Sequence, residues 1–259
     1  MDNPKVLICA PVRNREYIIK EYLQGILELD YPRCLISIYW IVNDSSDSTL
    51  QILNEFRDNN ISNYKDIKID TINFGAPEDA RTSIRRKATF YTLATLRNKL
   101  LEYFLTTDNE YLFSIDSDII VKPNILRQLL SDNKDVISAY VCNEIRKGKR
   151  GNALTVFETE IQDEQGNKIK GSSHIDASTM PEMFKCDLTG ACYLIKRAVI
   201  ESGVRYAYGL AGEDMPFCLD VKKNGFEMFC RKSINGTSLA EHKMYDLKKL
   251  KHEQKVGIL

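Results

Sequence analysis

Asp116 and Asp118 stand one residue apart in YLFSIDSDIIV, residues 111–121, with apolar residues crowded on both sides. Burying an unpaired carboxylate is costly, and two close together raise the cost by like-charge repulsion. A loop that carries two carboxylates at the head of an apolar strand suits a divalent cation with oxygen ligands, which would neutralise the acids and grip a diphosphate at once. The competing reading is a capping turn, in which Asp118 or Asn124 ties down loop and helix ends. A second acidic pair, Glu213-Asp214 in AGEDMPF, opens a segment that closes with Lys222-Lys223-Asn224-Gly225. Acids first, bases last and a glycine stop also describe an ordinary helix, so this placement alone does not separate a catalytic base from a cap.

Strands and helices must hold these acids in place. KVLICAP (5–11) and LISIYWIV (35–42) predict two buried strands, KIDTINF a short third and YLFSID a fourth. Helical spacing follows each of them. Tyr17/Ile18, Tyr22, Ile26 and Leu29 come after the first strand, and TLQILNEFRD, capped by Asp47 or Ser48, after the second. A helix over 82–106 with a stripe of Leu93, Leu96, Leu100 and Phe104 follows the third; the Pro-started PNILRQLLSD follows the fourth and leads to DVISAYV. Such alternation predicts an α/β architecture with a mostly parallel sheet. Ligands of these sheets bind beyond the carboxyl ends of the strands. PVRN, NDSSD and DSD all fall at that edge. Residues 144–183 read as hairpin and loop, a flap over the site, and order returns with DLTGACYLIKRAVIES and AGEDMPFCLDVKKNGF.

The totals exclude several classes. Lys plus Arg equals Asp plus Glu, 36 of each, so no bulk charge favours nucleic acid, and an anion needs a local site. The seven cysteines show no CxxC pair or zinc spacing, and their apolar settings fit a reducing compartment. The opening MDNPKVLICAPVRN is charged too soon for a signal peptide, and no apolar run approaches a membrane span, so a cytoplasmic protein is expected.

PVRN, IYWIVNDSSDST, LRNKLLEYF, YLFSIDSD and GED, in this order over residues 5–230, resemble the motifs of the family 2-like glycosyltransferases of the GT-A fold. Order across five motifs is far more specific than one DxD. Two departures stand out: Asn43-Asp44-Ser45-Ser46 where the family has D-D-G-S, and Leu96 in place of the alanine before Arg97-Asn98. The resemblance implies a Rossmann-like α/β/α sandwich with a mostly parallel central sheet and a smaller acceptor-side subregion. It implies one domain, 1–259, with a nucleotide-sugar-binding half (1–121) and an acceptor-binding and catalytic half (122–259) carrying the 144–183 flap. It implies a metal-dependent glycosyltransferase with a UDP-sugar donor, Mn²⁺ or Mg²⁺, and inversion at the anomeric carbon. Carried over residue by residue, Pro11, Val12 and either Arg13 or Asn14 line the nucleoside pocket. Asp44 accepts from base or ribose, and Asp116, with Ser117 beside it, faces the ribose or the metal's waters. Asp118 binds the metal, with His242 as a further ligand. Asp214 is the base, with Glu213 toward sugar and acceptor. Read from the residues themselves, Gly190 before a predicted strand would let the backbone approach sugar or acceptor closely, with packing as the alternative, and Arg97 beside the apolar stripe would orient the DSD loop by a bidentate contact.

Some features stay open. Arg81, Arg85, Arg86 and Lys87 open the long helix, where positive charge opposes the helix dipole; a diphosphate or acidic acceptor would compensate, and a solvated face is the alternative. The acceptor, whether glycan, lipid, peptide or small molecule, is not readable. The tail DLKKLKHEQKVGIL reads as a solvated helix, with peripheral membrane contact as the alternative. Two rival functions fit parts of the same pattern. A DxD phosphatase would want a hydroxyl residue two after the second Asp, where Ile120 stands; a non-catalytic sugar-nucleotide-binding module would not need Asp214.

Overall fold

The computed structural model describes residues 3–75, 83–141, 154–162, 168–174, 180–209 and 212–242, with backbone alone for 83–88, 154–162, 168–174 and 242. The first half runs β1 (Val6–Val12), α1 (Ile19–Leu27), β2 (Ile36–Asn43), α2 (Thr49–Asn60), β3 (Asp66–Ile72), α3 (Ser83–Thr106), β4 (Tyr111–Ile115), β5 (Ile119–Val121), α4 (Ile125–Ser131) and β6 (Val136–Ala139). There follow β7 (Leu154–Gln162), β8 (Lys168–His174), β9 (Met183–Lys185), β10 (Cys192–Lys196), α5 (Arg197–Glu201), α6 (Asp214–Lys223), β11 (Met228–Arg231), β12 (Ser233–Ile234), β13 (Thr237–Ser238) and β14 (Ala240–His242).

Eight strands form the central sheet in the order β3-β2-β1-β4-β10-β6-β11-β9. β1 pairs in parallel with β2 and β4, β2 with β3, and β6 with β11; β10 and β9 run against their neighbours. The sheet is therefore mostly parallel, as the alternation predicts. Chain order reverses between β1 and β4, the topological switch point where such sheets leave a crevice for ligand.

Side-chain alternation explains the layers. Val6, Ile8, Ala10 and Val12 of β1 face one way, packing with Ile19, Tyr22 and Ile26 of α1, Leu53 of α2 and Leu126 of α4. Leu7 and Cys9 face the other way, with Leu96, Leu100 and Phe104 of α3 and Phe217 of α6. A strand covered on both faces needs an unbroken apolar run, and β1 and β2 have one. Trp40 is core; its Nε1 donates to Tyr22 Oη at 3.0 Å, and that hydroxyl lies 3.4 Å from the Ile115 carbonyl at the end of β4. The helix over 82–106 begins at Ser83. Leu93 is only half-buried, while Ala94, Arg97 and Leu101 share the buried face. That puts a guanidinium on the apolar stripe. Arg81 and the side chains of Arg85, Arg86 and Lys87 lie outside the described residues.

Within 144–183, β7 and β8 pair antiparallel as a separate two-stranded sheet with a register shift between Phe157 and Glu160. The remainder of the expected flap up to 179, and the tail from 243, lie outside the described residues. No helix among the described residues is long and apolar enough to cross a membrane. Cys9, Cys34, Cys186, Cys192, Cys218 and Cys230 are free thiols, all buried except Cys34.

Gly25 on α1 sets how closely that helix lies on β5: a methyl there would come 3.2 Å from the Val121 carbonyl oxygen and 3.3 Å from its nitrogen. Because those atoms are backbone, Gly25→Val is expected to push the helix off β5 and destabilise the fold by about 1–3 kcal/mol, the usual cost of overpacking. Urea unfolding of the two proteins checks this.

Candidate functional site

The DSD segment is a turn fastened at both ends. Asp116 N–H donates to the Ala191 carbonyl at 2.7 Å, and Ile119 N–H donates back to the Asp116 carbonyl at 2.9 Å. β5 then pairs antiparallel with β14, matching Ile119 with His242 and Val121 with Ala240. The chain's return after β13 thus lays the His242 backbone beside the residue that follows Asp118. The His242 side chain lies outside the described residues.

Arg97 is the hub. Its guanidinium donates through Nη2 to Asp116 Oδ1 at 2.8 Å, through Nε to Glu213 Oε1 at 3.1 Å and through Nη1 to Ser114 Oγ at 3.3 Å. The expected bidentate grip on the DSD loop is corrected: the donors diverge, two to Ser114 and Asp116 at the end of β4 and one to Glu213 at the start of α6. Arg97 and Glu213 side chains are 5 % and 7 % exposed, whereas Asp116 keeps 29 % open to water. Burial opposes the charge on Arg97, yet its pKa stays well above the usual value because Asp116, Asp214 and Glu213 surround it. Asn98, next along α3, clamps the Tyr206 backbone, donating to its carbonyl and accepting from its N–H, both at 2.8 Å. Adjacent residues of α3 thus hold the DSD turn and the segment that leads into α6.

Asp214 is the first residue of α6. Its Oδ1 is shielded from water and has no hydrogen-bond partner. Burial pushes its carboxyl up to about 7, with Glu213 and Asp116 adding to the rise and Arg97 opposing it. Asp116 is also raised, first by burial and then by Asp118, against the pull of Arg97. Gly190 has a specific neighbour: a methyl there would lie 2.5 Å from Asp214 Oδ2 and 2.9 Å from its Cγ. The close approach expected of Gly190 is therefore made by the Asp214 carboxylate.

Other expected site residues gather at the same edge with different neighbours. Val12 is fully buried in the core, so its side chain faces packing rather than an open nucleoside pocket. Ser117 is buried too, its hydroxyl 3.4 Å from the Pro11 carbonyl, linking the ends of β1 and β4. Asn14 and Asp44 both adopt positive φ, 47° and 46°. Asn14 N–H donates to Ser45 Oγ at 3.0 Å while its Oδ1 accepts from Ser46 N–H at 2.9 Å. Asp44 accepts from Phe74 N–H at 2.9 Å and Asn43 Nδ2 at 3.1 Å, which closes the loop after β3. Asp118, 18 % exposed, accepts from Arg15 Nη2 at 3.1 Å. Sequence reading passed over Arg15 because it follows the PVRN motif and shares no spacing with the DSD.

A family model described as Anp1 matches residues 1–177. The chain belongs to the Anp1 family. It is 28 % identical over 188 residues to the mannan polymerase complex subunit mnn9 of Schizosaccharomyces pombe, covering 64 % of this chain and 54 % of that one. The chain thus spans about half the length of this relative. Among solved structures it resembles S. aureus TarS residues 1–349 in complex with UDP-GlcNAc, with a TM-score of 0.59 at 16 % identity over 93 % of this chain and 59 % of that one. It also resembles the mannosyltransferase PcManGT from Pyrobaculum calidifontis in complex with GDP-Man and Mn²⁺, with a TM-score of 0.55 at 12 % identity, covering 95 % of this chain and 58 % of that one. The fold is GT-A, as the motif order implied.

Removing the hub tests the geometry. Arg97→Met should cost about 3–5 kcal/mol, the range for breaking a buried ion pair from one side, because Glu213 keeps its buried charge without a counter-ion. Chemical unfolding at pH 7 reads the loss, and it should shrink as pH falls and the acids take up protons.

Proposed function

We propose that this chain is a glycosyltransferase that moves a hexose, mannose in the first instance, from a nucleoside-diphosphate donor to an acceptor hydroxyl. Three supports converge: membership of the Anp1 family with its mannan-polymerase relative, the GT-A fold, and a raised carboxyl beside the DSD edge. GDP-mannose is the first donor to test. UDP-sugars are the second class, because TarS holds UDP-GlcNAc on the same fold.

The observation that carries the reading is Asp214 Oδ1, buried and unpartnered, on a carboxyl pushed up to about 7. A group with that affinity for protons suits a general base near neutral pH. The acceptor oxygen bonds to the anomeric carbon as the bond from that carbon to the diphosphate oxygen breaks, and Asp214 takes the acceptor's proton. In-line attack of this kind inverts the anomeric centre, so an α-linked donor should give a β-linked product by NMR; retention would remove Asp214 from the role of base. Arg97 holds Asp116 and Glu213 at fixed angles to this carboxyl.

A divalent cation, Mn²⁺ or Mg²⁺, fits the DSD edge by the chemistry of its donors. Asp116 and Asp118 share one turn, both are partly open to water, and strand pairing lays the His242 backbone opposite Ile119. Asp118 and His242 would hold the ion, with Asp116 facing its waters, and the ion would neutralise the departing diphosphate.

Asp214→Asn is expected to bind donor normally and to lose transfer by a factor of about 10²–10⁴, the contribution of a positioned base. In the native protein kcat/KM should rise as pH climbs through about 7. The sign for stability is opposite. A carboxyl raised on folding holds its proton longer in the native state, so stability falls as pH rises from the unfolded value near 3.8 to about 7. Asp214→Asn should therefore melt higher than the native protein at pH 8 relative to their difference at pH 4, by about 2–4 °C for each kcal/mol relieved. A constant difference across that range would remove the buried acid from the account.

Donor class is read by thermal shift with GDP-mannose, UDP-GlcNAc, GDP and UDP, each with and without Mn²⁺. A ligand that binds only the folded state at 100 times its Kd stabilises by about 2.7 kcal/mol. No shift with any nucleotide would overturn the reading.

A further inference from the structure

We infer that Arg15 is a resident counter-cation for Asp118, displaced when a divalent ion binds and then available to the donor's diphosphate. This rests on the reading of the DSD edge as a cation and nucleotide site. The observations begin with the backbone. Arg15 lies three residues beyond the end of β1, at the switch point, and its N–H donates to Thr49 Oγ1 at 2.7 Å. Glu16 N–H donates to Asp47 Oδ2 at 3.1 Å and Ser48 N–H to Glu16 Oε2 at 3.2 Å, so the loop carrying Arg15 is buttoned to the start of α2. The main chain at Arg15 is anchored, and any movement belongs to the side chain.

The guanidinium, by contrast, is incompletely held. Nη2 donates to Asp118 Oδ2 at 3.1 Å and Nη1 to the Arg13 carbonyl at 3.0 Å, while Nε is buried with no partner. A well-built Arg–carboxylate pair uses two parallel donors, and a buried donor without an acceptor is a cost the native state carries. Arg97 shows the contrast within the same site, with Nε, Nη1 and Nη2 all engaged. The Arg15–Asp118 pair is also partly wet, 30 % and 18 % exposed, which makes it exchangeable.

Charge then dictates an order of events. A guanidinium and a divalent cation repel each other across one carboxylate oxygen, so binding of the ion to Asp118 weakens Arg15's hold. The released side chain pivots from an anchored Cα at the edge where a diphosphate would sit, and its planar fork suits phosphate oxygens that Nε can also reach. In the resting site the same residue keeps Asp118 from facing Asp116 uncompensated.

The test titrates Mn²⁺ alone into nucleotide-free protein, reading free Mn²⁺ by its EPR signal, for the native chain, Arg15→Met and Arg15→Lys, with Asp118→Asn as the reference for a lost ligand. GDP and UDP are then titrated at saturating Mn²⁺. Arg15→Met should bind Mn²⁺ several-fold more tightly than the native chain, and the favoured nucleotide about tenfold more weakly, the loss of one charge-assisted contact. Arg15→Lys should lie between. Unchanged or weaker Mn²⁺ binding in Arg15→Met, with its circular dichroism intact, overturns the counter-cation; should that variant not fold, Arg15→Lys carries the comparison, and equality with the native chain overturns it equally. Tighter Mn²⁺ with unchanged nucleotide affinity overturns the diphosphate role alone. Failure of the native chain to bind Mn²⁺ or either nucleotide would instead sink the cation and donor reading itself.

Discussion

A guanidinium with almost no access to water organises this molecule's site. Arg97 has to be buried because it occupies the apolar stripe of α3 between Ala94 and Leu101, and a buried cation is tolerable only among anions. The sheet provides Asp116 at the end of β4, and α6 provides Glu213 at its start. Neither acid would be stable in its place without the arginine, and the arginine would not be stable without both. Such mutual dependence ties a helix, a strand end and a helix cap into one geometry, and it does so by electrostatics rather than by packing area.

The balance of charge in that cluster is uneven, and the imbalance is where chemistry enters. Asp116, Glu213 and Asp214 all lie within electrostatic reach of the one guanidinium of Arg97. Glu213 and Asp116 take its hydrogen bonds, and burial, with those two acids adding to it, pushes the Asp214 carboxyl up to about 7. Gly190 makes this possible sterically, since any side chain there would dislodge the carboxylate. The three acids around Arg97 thus differ by which donors reach them: Asp116 and Glu213 accept from its guanidinium, and Asp214 Oδ1 has no hydrogen-bond partner.

The layered α/β plan was legible because parallel strands covered on both faces must be written as long apolar runs, and KVLICAP and LISIYWIV are such runs. Helix existence followed from spacing, down to Asp214 opening α6 and Gly225, at φ 85°, following its end. What pattern cannot carry is direction and partnership. β10 reads as a good strand in CYLIK, yet nothing local says that it inserts antiparallel between β4 and β6. The pairing of β5 with β14 joins segments of three residues each, too short for any period to show. Nor does pattern show the local bonds of Asn14 and Ser117: small polar residues at strand ends are recruited first by the backbone, and both are engaged in tying loops together.

Arg15 was illegible on the same grounds, and its case shows what the fold adds to a motif. A one-dimensional reading assigns Asp118 its partners from chemistry alone and finds a metal ion sufficient. The fold contributes a positive charge from the other side of the switch point, 103 residues away along the chain, held by a single hydrogen bond to one of that carboxylate's oxygens. Asp116 never faces this choice, because Arg97 is locked by three acceptors. One acid of the DSD is thus fixed by a saturated arginine and the other by an unsaturated one. On the proposed reading, that asymmetry would serve a site that admits and releases a charged donor: a rigid carboxylate would define its shape and an exchangeable one would let cations trade places.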